Sequence, residues 1–300
     1  MTPAQPPATD DRTGLDRVFL SREHRVRSGW VVLAFAVVAL ITLTVLNVAL
    51  SIADLEPRAW RLDDLRVGVF TCTTLLAGVV ATGASAAAFH EPTGLKDVRW
   101  ARRLLLGLGA GALLVTLSVV GAALAGHGPL RLSAGEGALS SALVQLAAIG
   151  PTSVGEELLF RGVPLLALAR GTRPAAAVVG TALVFGLVHL MNPHGSLLGA
   201  TYVALVGVWF GALVVRTGSL WTSIGAHVAW NWFEGFVWGQ PVSGITPGPS
   251  LFTAPAAGAA GFWSGGAFGP EASGWTAVLL GVAVALTLAW PRGRMPRSAP

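Results

Sequence analysis

The sequence predicts an all-α integral membrane protein, a bundle of about eight transmembrane helices. Three observations carry that prediction. Hydrophobic residues make up 53% of the 300 and charged residues 12%, with a mean hydropathy of +0.65, whereas a soluble domain carries about 25% charged residues. Apolar runs near the ~20 residues needed to cross hydrocarbon recur along the chain. The basic residues concentrate in alternate segments between those runs, as membrane topology requires.

Taken in order, residues 1–28 are polar and rich in Pro, Thr and Asp, which predicts a partly disordered cytoplasmic arm. A transmembrane domain over 29–290 follows, with apolar runs at 29–53, 67–89, 104–125, 138–169, 175–191, 197–215, 220–237 and 275–290. The first is too long for the core of a signal peptide and no small-residue cleavage site follows it, so it counts as a retained span. Pro164 is expected to kink the fourth. Residues 239–274 are dense in Gly, Pro and Ala, with Glu271 as their single charge, and read as an irregular outer loop that folds back over the bundle. Residues 291–300 form a cytoplasmic tail. Neither a fixed-period repeat nor the inverted repeat of a two-halved transporter is visible.

With the N-terminus inside, inner segments hold fifteen of the twenty basic residues; the outer segments hold Arg58, Arg61, Arg66 and Arg131, and Arg161 alone lies within a run. Both termini are therefore expected in the cytoplasm. The net charge of +5 and a pI near 10.9 follow the inner loops and form no single stripe, which argues against nucleic acid and for contact with anionic lipid. Trp30, Trp100, Trp221, Trp238, Trp275 and Trp290 fall near the ends of runs, where amphipathic rings sit at headgroup level. The lone cysteine, Cys72, has no intrachain partner for a disulfide.

Function is carried by the few ionisable residues inside the runs. A carboxylate at helix centre costs roughly 2.5–3.5 kcal/mol on insertion scales, and here two are adjacent, Glu156 and Glu157. Arg161 lies four residues beyond Glu157, on the same helix face, and gives it an ion-pair partner. Glu156 is turned about 100° away and lacks that partner, so it is the better general base. Phe185 and His189 share a face of the fifth run; His227 and Asn231 share one of the seventh. At ~1.5 Å per residue, all these polar groups come to a similar depth if their helices are neighbours. The bland alternative is that each polar group merely ties helices together, but three runs presenting such groups weaken it.

A carboxylate, two imidazoles and a carboxamide make a kit for amide hydrolysis. Glu156 would take a proton from water, His189 would hold that water, and His227 with Asn231 would donate to the oxyanion. The same Glu156, His189 and His227 would also serve as ligands of a zinc ion with an open position for water. Both chemistries are open at this point. Glu234, near the face of His227 and Asn231, has no assigned part. Asn192 and His194, in the turn after the fifth run, either cap a helix or touch substrate, while His24, His90 and His127 fall in arms or loops.

The series Glu156-Glu157-x-x-x-Arg161, Phe185-x-x-x-His189 and His227-x-x-x-Asn231 resembles the three signature motifs of the CAAX-protease and bacteriocin-processing family of intramembrane proteases. The resemblance covers residues of about 150 to 235, and the order and spacing of all three motifs match. It implies an eight-helix bundle, with Glu156 and His189 at the water, His227 and Asn231 at the oxyanion, and Glu157, Arg161 and Phe185 around them. Family members are described both as metalloproteases and as glutamate-dependent enzymes, so the metal question stays open.

Other intramembrane protease signatures are absent: the sequence holds no Gly-x-Ser-Gly, no Gly-x-Gly-Asp and no His-Glu-x-x-His. The rival class is a non-catalytic membrane protein, an immunity factor or small-solute carrier that uses the same cluster for binding. Nineteen arginines to one lysine, with abundant Ala and Gly, suggest GC-rich coding and a bacterial inner membrane. The expected substrate is a peptide or membrane-associated protein.

Overall fold

A computed structural model describes residues 14–21, 23, 25–124, 130–134, 137–253, 261–291 and 293. His24, His127 and most of the arm and tail lie outside them. A short helix α1, Gly14–Phe19, occupies part of the N-terminal arm. The bundle consists of α2 (Ser28–Ile52), α3 (Leu65–Phe89), α4 (Trp100–Ala122), α5 (Ala138–Phe160), α6 (Val163–Gly171), α7 (Pro174–Val188), α8 (Leu197–Thr217), α9 (Leu220–Trp232) and α11 (Gly274–Ala289), with the one-turn α10 (Gly261–Ser264) before the last. The chain is an all-α, multi-pass integral membrane protein. Outward-facing residues such as Leu40, Val45, Leu113, Leu183 and Val278 remain exposed, as a lipid-facing surface requires.

Each of the eight expected runs is helical over most of its described length, but among the described residues six stretches have the length and composition to cross a membrane. The seventh run is shorter than expected: α9 has 13 residues, about 20 Å of helix, and continues as a π-turn over Phe233–Val237. The eighth, α11, has 16, about 24 Å. The fourth run is broken rather than kinked. The N–H groups of both Arg161 and Gly162 fall back on the Glu157 carbonyl, and α6 restarts with Pro164 in its first turn. Proline at 164 has no N–H for the Phe160 carbonyl and restricts the residue before it, so the break precedes it. A Cβ at Gly162 would meet the Leu158 carbonyl oxygen at 2.7 Å.

Three helix pairs fix the positions of the motif segments: α5 packs on α3, α7 on α8 and α9 on α4. Small residues allow the backbones to touch. A Cβ at Gly107 or Gly111 of α4 would come within 2.1 Å of the Thr222 or Ala226 carbonyl oxygen of α9, directly beside His227. Apolar clusters fill the remaining space, one around Phe210, Trp230 and Leu280, another around Leu158, Leu165 and Ile224. The segment after α9 folds back over the bundle. It is pinned where Leu62 donates to the Thr246 carbonyl at 2.9 Å, where Gly244 donates to that of Phe268 at 2.7 Å, and by a two-stranded ribbon, β1 (Arg131–Leu132) with β2 (Phe252–Thr253).

Candidate active site

Glu156 and Glu157 leave the last turn of α5 in different directions, and their surroundings differ accordingly. Glu157 is fully buried. Its Oε1 accepts from Arg161 Nη1 at 3.1 Å and from His227 Nδ1 at 3.0 Å, and its Oε2 accepts from the Ser223 hydroxyl. The i, i+4 spacing on α5 supplies the first bond; the close approach of α9 supplies the others. A buried carboxylate is tolerable only when its lone pairs are met in this way.

Arg161 is as buried as its partner. Its guanidinium lies 3.9 Å from the centroid of the Phe185 ring, with Phe210 at 5.5 Å and Phe160 at 5.7 Å, so aromatic faces stand in for part of the lost water. Gly207 of α8 leaves the room: a Cβ there would meet Arg161 Nη2 at 3.0 Å.

Glu156 makes no such bonds and keeps 17% of its side chain exposed, with Oε2 at 3.6 Å from His227 Nε2. It lines a cavity of about 170 Å³ together with His189, Asn192 and Asn231. His189 ends α7. Its Nδ1 donates to the Phe185 carbonyl at 2.7 Å, which can only accept, so Nε2 is the ring nitrogen left for the site. Phe185 therefore serves two neighbours, with its ring under Arg161 and its carbonyl on His189. His227 stacks on Phe210 at 4.7 Å, and because its Nδ1 faces a carboxylate, Nε2 is the atom turned to the site. Asn231 donates to Ser153 Oγ at 3.3 Å.

A second, smaller cavity of about 20 Å³ adjoins the first, lined by Phe185, His189, His227, Asn231, Ser243 and Glu271 among others. That is room for about one water. All seven residues singled out in the sequence thus lie in one buried polar neighbourhood, drawn from α5, α7 and α9. Asn192 borders it, whereas His194 lines a separate cavity beside Phe262.

Sequence reasoning missed four residues here and gave a fifth, Glu234, no part. Ser153 and Ser223 hold Asn231 and Glu157; Ser223 lies one turn before His227, a spacing that puts both on one face. Ser243 and Glu271 arrive on the outer segment, and Ser243 donates to Glu271 Oε1. Glu234, fully buried, accepts from Trp230 Nε1 at 3.1 Å and faces Glu271. Nothing local in the sequence connects residue 271 to residue 234.

The histidines have the supporting bonds that metal ligands usually have. Among the described residues, however, no three His, Cys, Asp or Glu side chains stand in an arrangement that would hold a metal ion.

Residues 138–233 match the family model described as type II CAAX prenyl endopeptidase Rce1-like. The chain is also 35% identical over 103 residues to "Uncharacterized protein YyaK" of Bacillus subtilis (strain 168), a stretch that is 33% of this chain and 34% of that protein. The alignment thus spans about a third of that relative's length. No solved structure matches.

Proposed function

From the match of residues 138–233 to the family model described as type II CAAX prenyl endopeptidase Rce1-like, we propose that this protein is an intramembrane endopeptidase. It hydrolyses a peptide bond in a peptide or membrane-associated protein with water activated by Glu156. The observation that carries this reading is the convergence of three helices on one cavity: Glu156, His189 and Asn231 line the same 170 Å³ space, with His227 3.6 Å from Glu156.

Glu156 has a free carboxylate, partial access to water and no competing cation within hydrogen-bond distance among the described residues, the state a general base needs. It takes a proton from a water held at His189 Nε2, and the hydroxide attacks the scissile carbonyl carbon. The oxyanion that forms accepts from Asn231 Nδ2 and from His227, which Glu157 holds in place through Nδ1. The C–N bond then breaks, and the proton on Glu156 passes to the leaving amine. Arg161 and Phe185 position Glu157 and His189 without touching substrate.

At about 170 Å³ the cavity is below the 300–1,000 Å³ typical of a small-molecule pocket. It suits a side chain or a short extended segment lying against Trp60, Phe70 and Ile245, which are among its apolar lining. The protein works in the inner membrane of a bacterium with both termini cytoplasmic, in keeping with the distribution of its arginines.

The test is cleavage of a peptide library, prenylated and unprenylated, by the purified full chain in lipid. Glu156→Gln and His189→Ala are expected to lower kcat/KM by at least 10²-fold, in line with loss of a general base or its water, while the protein still inserts. Full activity in both variants would end the peptidase reading. Dialysis against a chelator is expected to leave the activity unchanged; loss that zinc restores would make the histidines ligands.

A further inference from the structure

A separate cavity of about 540 Å³ opens at the end of the bundle where α4 begins and α8 and α11 end. Its lining is unlike that of the motif site. Lys96, Arg99, Arg102 and Arg103 border it, with Asp97 as the one carboxylate. Asp97 is already engaged: it accepts from the Arg99 backbone N–H at 2.9 Å and lies 3.6 Å from Arg103 Nε. Burial pushes its carboxyl up, but the Arg99 N–H, the Ser219 hydroxyl and the Arg103 and Arg99 charges outweigh that and hold it below the usual range. It is ionised at neutral pH and offsets one charge of the four.

The nearby helix ends do not use the rest. The Arg216 carbonyl accepts from the Gly293 N–H at 2.6 Å, and the Thr287 carbonyl accepts from Arg216 Nε at 3.2 Å, so the C-terminal ends of α8 and α11 are met by other donors. Lys96, Arg99 and Arg102 are exposed and have no ion pair among the described residues. Like charges held this close repel one another, and a bound anion relieves that repulsion.

The other wall is apolar. Leu106 and Trp290 border the same cavity and stay 49% and 61% exposed, one at the start of α4 and the other just past the end of α11. A cationic floor beside an apolar wall at the end of spanning helices fits a molecule with an anionic head and a hydrocarbon body. A free anion would need only the floor.

We propose that this cavity binds the phosphate of an anionic lipid headgroup, with Arg99 and Arg102 on the phosphate and Leu106 and Trp290 against the start of its chains. The site is distinct from the peptidase centre and does not rest on that reading. Its test uses the purified full chain in a neutral detergent, titrated with dioctanoyl-phosphatidylglycerol, with dioctanoyl-phosphatidylcholine and with inorganic phosphate. Saturable binding and a rise in Tm are expected with phosphatidylglycerol alone. The Arg99→Gln/Arg102→Gln pair should weaken that binding by about 10- to 30-fold, from about 1 kcal/mol per basic residue, and leave the lipid-free Tm unchanged because both side chains are exposed. Arg102→Gln alone reads the same comparison if the pair accumulates poorly. Equal binding of the two lipids, or equal binding by wild type and variant, would overturn the site. A rise in Tm with inorganic phosphate equal to that with phosphatidylglycerol would overturn the lipid as its source.

Discussion

Adjacent glutamates divide the work of the site because one has given up water and the other has not. Glu157 has 0% of its side chain exposed and Glu156 17%, a difference set by the 100° turn between successive helical residues. Glu157→Gln would leave Arg161 buried without its counter-charge, a loss of about 3–5 kcal/mol, visible as a large fall in Tm. Glu156→Gln breaks no hydrogen bond among the described residues, so its Tm is expected to stay within experimental scatter while activity falls by at least 10²-fold. A matching fall in Tm for both variants would remove that division of roles. The pairing of Glu157 with Arg161 was legible in the sequence because both lie on one helix. Its bonds to His227 and Ser223 were not, because residues some 70 positions away reach it only through helix packing.

At the scale of elements, the site depends on how closely α9 lies against α4. Gly107 and Gly111 present bare backbone to Thr222 and Ala226, and His227 follows immediately, so the depth of that contact sets the reach of its imidazole. Gly111→Val would force two backbones apart. Overpacking of this kind costs about 1–3 kcal/mol, and more where backbone must move, and it draws His227 away from Glu156. Activity should fall by more than the loss of folded protein explains, as measured by kcat/KM per mole of folded enzyme; a fall in proportion to folded protein would mean that the contact serves stability alone. Apolar runs made the places of the long helices legible. They did not reveal that the fourth run breaks at Gly162, because the residues on both sides of Arg161 are apolar and it is the Pro164 ring that enforces the interruption. Nor did they show that α9 stops at Trp232, since Phe233–Val237 continues the apolar pattern in a π-turn.

Across the whole molecule, the outer segment closes the site from one side and does so through acid groups. Glu271 sits in the turn Pro270–Ala272, outside the spanning helices, is 4% exposed, and lines the small cavity with His189 and His227. Glu234 faces it, with Oε1 lacking a partner of ordinary hydrogen-bond geometry among the described residues. Two carboxyls buried together hold one proton between them, since both cannot ionise at low cost. Burial raises the Glu271 carboxyl above its usual range, outweighing the Glu234 and Ser243 hydrogen bonds and the charges of His189 and His227. A carboxyl that binds its proton more tightly when folded than when unfolded stabilises the fold below its ordinary value, and that contribution is lost as pH rises through the raised one. The closed segment should therefore loosen with increasing pH, seen as faster hydrogen exchange at Gly244 and Ala272, whose N–H groups bond within the segment. Glu271→Gln keeps the shape, removes the ionisable group and is expected to flatten that dependence. An unchanged pH profile in the variant would place the titration elsewhere, with the histidines as the next groups to test. In sequence, Glu271 stood out only as the single charge of a Gly- and Pro-rich loop; its place beside the histidines follows from where the turn Pro270–Ala272 packs on the bundle, which no local pattern encodes.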